Sequence, residues 1–316
     1  MTRLRHFKPA GKAIFKDSHT TKMKELLQQW GPGMTSTFAI AGVPLSKPSI
    51  SHSGASFAPD TIRSALQSYT TFAGDTGLEF TDNILDFGDI YMDPTDIIGD
   101  QQRTYEGLRD VYASEAAKWW MVLGGDHSIS YSSIKACSEQ YGKVGVIQFD
   151  AHHDLRNVED GGPTNGTPFR RLLEDHVIRG ENLVQIGIRD FTNAKEYAKF
   201  ADEQGVMVYS MQDVDRNSMG RILEKEIDRL EKQVDILYLS VDIDVLDQAF
   251  APGCPAIGPG GMDSKTLLEG IYFASRHEKV KLMDIVEIDP TIDFRNMTSR
   301  VAVYCMLNFM KAKKFS

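Results

Sequence analysis

Lys143-Val-Gly-Val-Ile-Gln-Phe149, followed at once by Asp150-Ala-His-His-Asp154, is the stretch on which the reading of this chain turns. Val144 to Phe149 is a short, mostly apolar run of strand length. Runs of that kind occupy parallel sheets covered on both faces, so this one predicts an α/β fold. Directly past it stand two aspartates and two histidines, all side chains that bind metals. Extended chains alternate their side chains between faces, so Asp150, His152 and Asp154 are expected to aim one way. His153 then faces the other way and reads as a packed or surface histidine.

Two further patches repeat the arrangement. Trp119 to Leu123 runs into Gly124-Gly-Asp-His127-Ser, and Ile236 to Leu239 runs into Ser240-Val-Asp242-Ile-Asp244. Together the three patches offer four carboxylates and two imidazoles. That set is too many for one zinc and suits two divalent ions, whose combined positive charge four ionised carboxylates balance. Oxygen and imidazole donors without thiolate favour harder ions, and two Mn2+ per chain are expected, although donor type does not separate manganese from zinc, iron or nickel. An Asp-x-Asp alone is commonplace as a solvated loop or helix cap. Asp-x-His-x-Asp with two more patches at strand ends predicts a dinuclear hydrolase site. Cys254, just past the third patch, reads as a small buried thiol. Gly124-Gly125 lacks the spacing of a nucleotide loop and reads as a tight turn into the next helix.

Outward from these patches, apolar extended runs alternate with helical patterns. The predicted strands are Phe38–Leu45, Asn83–Ile90, Lys118–Leu123, Lys143–Phe149, Leu183–Ile188, Val206–Ser210, Asp235–Ser240 and Val280–Ile288. The clearest helices are Gln101–Lys118, Ile129–Tyr141, Arg216–Lys232 and Ser264–His277. In the third, Ile222, Leu223, Ile227 and Leu230 form one stripe with charges opposite. Such alternation predicts a mostly parallel sheet between helical layers. No Ser/Gly/Pro-rich linker interrupts it, so residues 1–316 are expected to form a single domain. All three patches fall at the carboxyl ends of their strands, where open α/β sheets gather ligands.

Composition narrows the function. Hydrophobic content of 41% with 25% charged residues is that of a soluble globular chain. A net charge of −9 argues against nucleic-acid binding, which needs a basic footprint. Met1 to Asp17 carries Arg3, Arg5, Lys8, Lys12 and Lys16 without an apolar segment, so no signal peptide is evident. No run reaches transmembrane length. Three cysteines, Cys137, Cys254 and Cys305, form neither a disulfide framework nor a zinc spacing, and a cytoplasmic protein is expected.

The motifs resemble those of the ureohydrolase family, which comprises arginases, agmatinases and formimidoylglutamases. They are Gly124-Gly-Asp-His-Ser128, Asp150-Ala-His-His-Asp154 and Ser240-Val-Asp-Ile-Asp-Val-Leu-Asp247, followed by Ala251-Pro-Gly253. Gly42-Val-Pro44, Ala58-Pro-Asp-Thr-Ile-Arg63, Asp86-Phe-Gly-Asp89 and Ile186-Gly-Ile-Arg189 support them. The resemblance spans about residues 40–290. It implies a three-layer α/β/α sandwich with a mostly parallel sheet of about eight strands. It also implies one metal on His127, Asp150, Asp154 and Asp242 and a second on His152, Asp150, Asp242 and Asp244. Asp154 would take or hold the proton of the attacking water. Glu287, in Asp284-Ile-Val-Glu-Ile-Asp-Pro290, would contact an amidine or guanidine group.

Departures from the arginase pattern choose the subfamily. Asn165, in Gly162-Pro-Thr-Asn-Gly-Thr-Pro-Phe169, stands where arginases and agmatinases place a histidine, and an amide shuttles no proton at neutral pH. Arg156 stands where arginases use a neutral group, and a guanidinium there grips a carboxylate with two parallel hydrogen bonds. Its competing role is an ion pair with Glu159 or Asp160. Arg189 is a second candidate for holding a substrate carboxylate. These features resemble the formimidoylglutamases and imply a small amidine dicarboxylate substrate, N-formimino-L-glutamate, cleaved with water to L-glutamate and formamide in histidine degradation. A homo-oligomer is expected. The rivals are a guanidino-acid hydrolase that releases urea and a non-catalytic regulatory subunit, the latter disfavoured because all six metal-ligating residues are present.

Overall fold

The computed structural model describes residues 18–315; the basic stretch before them lies outside the described residues. The strands are β1 (Leu27–Gln29), β2 (Ser36–Val43), β3 (Phe72–Ala73), β4 (Leu78–Glu79), β5 (Ile84–Asp89), β6 (Ala117–Gly124), β7 (Val144–Phe149), β8 (Leu183–Ile188), β9 (Met207–Ser210), β10 (Ile236–Asp242) and β11 (Val280–Val286). β3 and β4 pair as a small antiparallel ribbon. The other nine form one sheet in the order β1-β5-β2-β6-β11-β10-β7-β8-β9, every pairing parallel. The ninth strand, absent from the sequence reading, is the three-residue edge strand β1. Too short to show a period, it exists because β5 offers it an open edge.

Period-two alternation divides the side chains into two cores. On β6, Trp119, Met121 and Leu123 enter one core while Trp120 and Val122 enter the other. The first core is closed by helices α1 (Ala58–Ala65), α7 (Met219–Leu230), α8 (Ser264–Ser275) and α9 (Met297–Lys313). The second is closed by α2 (Ile97–Ala113), α3 (Ile129–Tyr141), α4 (Pro168–Glu174) and α5 (Lys195–Gln204). The result is the α/β/α sandwich expected. α2 stops at Ala113 rather than Lys118, because Glu115 turns the chain at φ 50° and Ala117 already belongs to β6. The helical pattern from Arg216 is split by Ser218, whose φ is also positive at 62°, which separates α6 (Met211–Asn217) from α7.

Topology places the site. From β6 the chain crosses through α3 to β7, and β10 and β11 fill the two positions between them. The carboxyl ends of β6, β7, β10 and β11 therefore stand side by side where the winding reverses, and a ligand crevice forms at such a reversal.

Candidate metal centre

Asp242 reaches the crevice as the last residue of β10, whereas the other five side chains reach it from turns past their strand ends. β7 ends at Phe149, and Asp150–Asp154 is a loop closed by Asp154 in the left-handed region at φ 52°. Asp150 Oδ1 accepts the His152 N–H at 2.6 Å, an Asx turn that folds the segment back on itself. Likewise Asp242 Oδ1 accepts the Asp244 N–H at 2.8 Å and caps the single 3-10 turn Ile243–Val245. The expected extended conformation is thus corrected. Short side-chain-to-backbone bonds bend both segments, because Asp competes with the ladder for nearby N–H groups. β6 delivers His127 through the Gly124-Gly125 turn, where a Cβ on Gly125 would run into the Leu45 carbonyl.

The six side chains converge as two overlapping groups. His127, Asp150, Asp154 and Asp242 form one, and Asp150, His152 and Asp244 form the other. His127 Nδ1 lies 3.1 Å from Asp150 Oδ2, 2.9 Å from Asp154 Oδ2 and 3.0 Å from Asp242 Oδ2. None of these contacts has hydrogen-bond geometry, and Nδ1 is buried without a partner. All four donor atoms lie within 4.8 Å of one another, close enough to share one cation. In the second group His152 Nδ1 lies 2.7 Å from Asp244 Oδ2. Asp150 belongs to both groups. Asp242, expected in both, belongs to the first alone, its second oxygen being engaged by the Asp244 N–H.

The electrostatics are those of an acid cluster short of positive charge. Burial pushes the Asp154 carboxyl up to about 6, with the Asp150 charge adding to it. Burial also raises Asp242 well above the carboxylate range, reinforced by Asp244 and Asp150. The Asp244 charge drives the His152 imidazole up to about 12 against the effect of burial. Buried acids that must borrow protons from one another are the donor set that divalent cations satisfy, and the residues present fit two such ions.

Around the cluster lies a cavity of about 140 Å³ lined by Asp154, Arg156, Asn165, Tyr197, Glu287 and Ile50 among others. Glu287 is 2% exposed and left-handed at φ 62°. Its Oε1 accepts the His127 N–H at 2.8 Å and the Asn165 Nδ2–H at 3.0 Å, while Oε2 has no partner. Burial pushes Glu287 up to about 8, with the neighbouring Asp126 charge adding to it. Asn165 also accepts the Ile50 N–H at 3.0 Å, so it ties the 48–51 loop to Glu287. The Arg156 guanidinium sits 5.6 Å from the centroid of the Tyr197 ring. No ion pair to Glu159 or Asp160 forms; Asp160 is instead held by Asn157.

Arg189, expected to hold a substrate carboxylate, is placed otherwise. It is buried, and its Nη2 donates to the Asp244 carbonyl at 2.5 Å and the Leu246 carbonyl at 3.1 Å. That nitrogen holds the backbone of the turn that carries Asp244, Nε is buried without a partner, and Arg189 does not line the cavity. Cys254 is a buried thiol whose ionisation is suppressed first by burial and then by Asp244, Asp242 and Glu287. His153 is 3% exposed and packed, with Nδ1 2.7 Å from Gln185 Oε1. Sequence reasoning passed over Tyr197, Asp126 and the buried glutamines. The glutamines left a signal, because Gln148 and Gln185 each interrupt an otherwise apolar strand.

The sequence model of the Arginase family matches residues 36–311. The chain is 53% identical over 302 residues to a formimidoylglutamase of Halalkalibacterium halodurans, covering 95% of each chain. It is 44% identical to a formimidoylglutamase of Bacillus subtilis, covering 96% of this chain and 95% of the relative. The crystal structure of formimidoylglutamase from Bacillus subtilis superposes with a TM-score of 0.95 at 43% identity, covering 98% of this chain and 97% of the other.

Proposed function

The chain belongs to the arginase family, and from that premise we propose that it hydrolyses N-formimino-L-glutamate to L-glutamate and formamide at a binuclear metal centre. The observation that carries the metal centre is the crowding of three carboxylates on an unpartnered, buried His127 Nδ1. His127, Asp150, Asp154 and Asp242 would hold one ion, and His152, Asp150 and Asp244 the other. Manganese(II) suits this set of oxygen and imidazole donors. When bound, paired divalent ions lower the pKa of water and stabilise charge that develops on the reacting atoms.

The remaining work falls to the chain itself. Asp154 lies at the cavity wall beside His127 and takes the proton of the attacking water. Glu287 keeps Oε1 fixed on His127 N–H and Asn165, and turns its unpartnered Oε2 to the cationic amidine. Water adds to the amidine carbon, the bond from that carbon to the α-nitrogen breaks, and the α-nitrogen leaves protonated as the amine of glutamate. Arg156, which lines the same cavity beside the Tyr197 ring, anchors a substrate carboxylate. A cation at this position disfavours arginine, with its free α-ammonium and single carboxylate, and agmatine, with an ammonium and no carboxylate.

The continuous nine-stranded sheet supports reading the chain as a single domain. We place it in the cytosol as a homo-oligomer; among the described residues no helix is long and apolar enough to cross a membrane. Phe57, Ile292 and Phe294, more than half exposed, are available to a second copy. Product analysis tests the reaction. Metal-loaded protein offered formiminoglutamate, arginine and agmatine should release formamide and glutamate from the first and no urea from the others. Urea from arginine or agmatine at a comparable rate would favour the guanidino-acid reading instead.

A further inference from the structure

A row of buried polar side chains crosses four adjacent strands one step beneath the metal-ligating groups. Gln185 on β8 faces Gln148 on β7, Gln148 faces Ser240 on β10, and Ser240 faces Asp284 on β11. All four are fully buried. Burying a carboxamide costs free energy unless its donors and acceptor are met, so an apolar residue is the default at either glutamine. Here they are met, and in one sense only. Gln148 Nε2 donates to Asp150 Oδ2 at 2.6 Å and reaches the His152 carbonyl at 3.4 Å. Its Oε1 accepts from Gln185 Nε2 at 2.8 Å, and the same Nε2 donates to the His153 carbonyl at 2.7 Å. Gln185 Oε1 faces His153 Nδ1 at 2.7 Å, which makes Nδ1 the donor.

We propose that His153, Gln185 and Gln148 are positioning residues, a relay that fixes the Asp150 carboxylate with its two oxygens divided between the two metal groups. The inference rests on the metal-centre reading given above. Asp150 Oδ2 lies 3.1 Å from His127 Nδ1, and Oδ1 lies 3.6 Å from His152 Nδ1. A carboxylate that serves two ions must be held against rotation, and the Gln148 N–H on one oxygen with the His152 N–H on the other does so. Polarity decides whether this works. A reversed Gln148 would set its carbonyl against the Asp150 carboxylate. Two carboxamides in series could run either way, and His153 sets the sense by donating from its ring and accepting at its carbonyl. The histidine that points away from the ions thus acts on them through two amides.

The test is manganese(II) binding by the full chain, measured by isothermal titration calorimetry on metal-stripped protein. Wild type is compared with Gln185→Leu, His153→Leu and His153→Asn. Leucine nearly preserves volume and removes the polar link, whereas asparagine sets an amide N–H close to the place of Nδ1. Loss of an outer-shell partner weakens metal binding by about 10- to 100-fold, and that loss is expected for at least one ion in both leucine variants. His153→Asn should recover most of it. Thermal melts of the metal-free proteins report folding separately. If Gln185→Leu melts early, the His153 pair, two links from the ligand, carries the comparison. Leucine variants with both affinities at the wild-type level, or an asparagine variant as weak as His153→Leu, overturn the relay alone. A wild-type chain that binds fewer than two ions overturns the metal-centre reading, and the relay with it.

Discussion

Arg156 places a permanent positive charge on the wall of a cavity otherwise rich in acids. Its backbone N–H donates to the Gly166 carbonyl at 2.9 Å, and a Cβ on Gly166 would lie 2.7 Å from Arg156 Cδ, so the arginine stem fills the space a larger residue would need. Removing the charged partner of a substrate carboxylate should cost about 2–4 kcal/mol, roughly 30- to 1000-fold in kcat/KM. We expect that loss for Arg156→Ala on formiminoglutamate, with partial recovery in Arg156→Lys and little change on an amidine without carboxylates. Equal losses on both substrates would mean that Arg156 only holds its loop. Asn165 makes a second case. It steadies Glu287 without moving a proton, so Asn165→Ala should lower kcat/KM by about 10-fold, far less than Asp154→Asn, in steady-state assays of both. The six residues that gather in the two candidate metal groups were legible in the sequence because donor chemistry belongs to the residue type. The contact of Asn165 with Glu287, 122 positions away in the chain, was not, since only the fold brings them together.

Turns carry more of this site than strands do. The strand runs were legible as apolar stretches, and eight of the nine sheet strands fall where those stretches predicted. Parity beyond the strand ends was not legible, because Asp150 and Asp242 each capture a backbone N–H two residues on and bend the chain. Arg189 completes the second of these turns by holding the carbonyls of Asp244 and Leu246. Orphaning buried acceptors costs about 1–3 kcal/mol, so Arg189→Met should lower the urea unfolding midpoint accordingly. The KM of the folded fraction for formiminoglutamate should stay near wild type. A raised KM with unchanged stability would return Arg189 to the role of substrate ligand.

At the scale of the molecule, the reversal of winding between β6 and β7 gathers residues from four strand ends into one acid-rich crevice. Burial and mutual repulsion of its carboxylates make that crevice costly without cations. Ions that bind only the folded chain stabilise it by mass action, about 2.7 kcal/mol per site at a hundred times Kd. Manganese(II) should therefore raise the thermal midpoint of stripped protein, and a chelator should reverse the rise. The order of the strands was beyond the sequence, since apolar runs do not say which neighbours they pair with. The gathering of the patches at carboxyl ends was within it. The proposed chemistry needs two ions for one reaction. Formamide release from formiminoglutamate, followed as stripped protein is titrated with manganese(II), tests that most directly. Activity should be absent at the start and climb to a plateau at two equivalents per chain; full activity in the stripped protein, or a plateau at one equivalent, would contradict it.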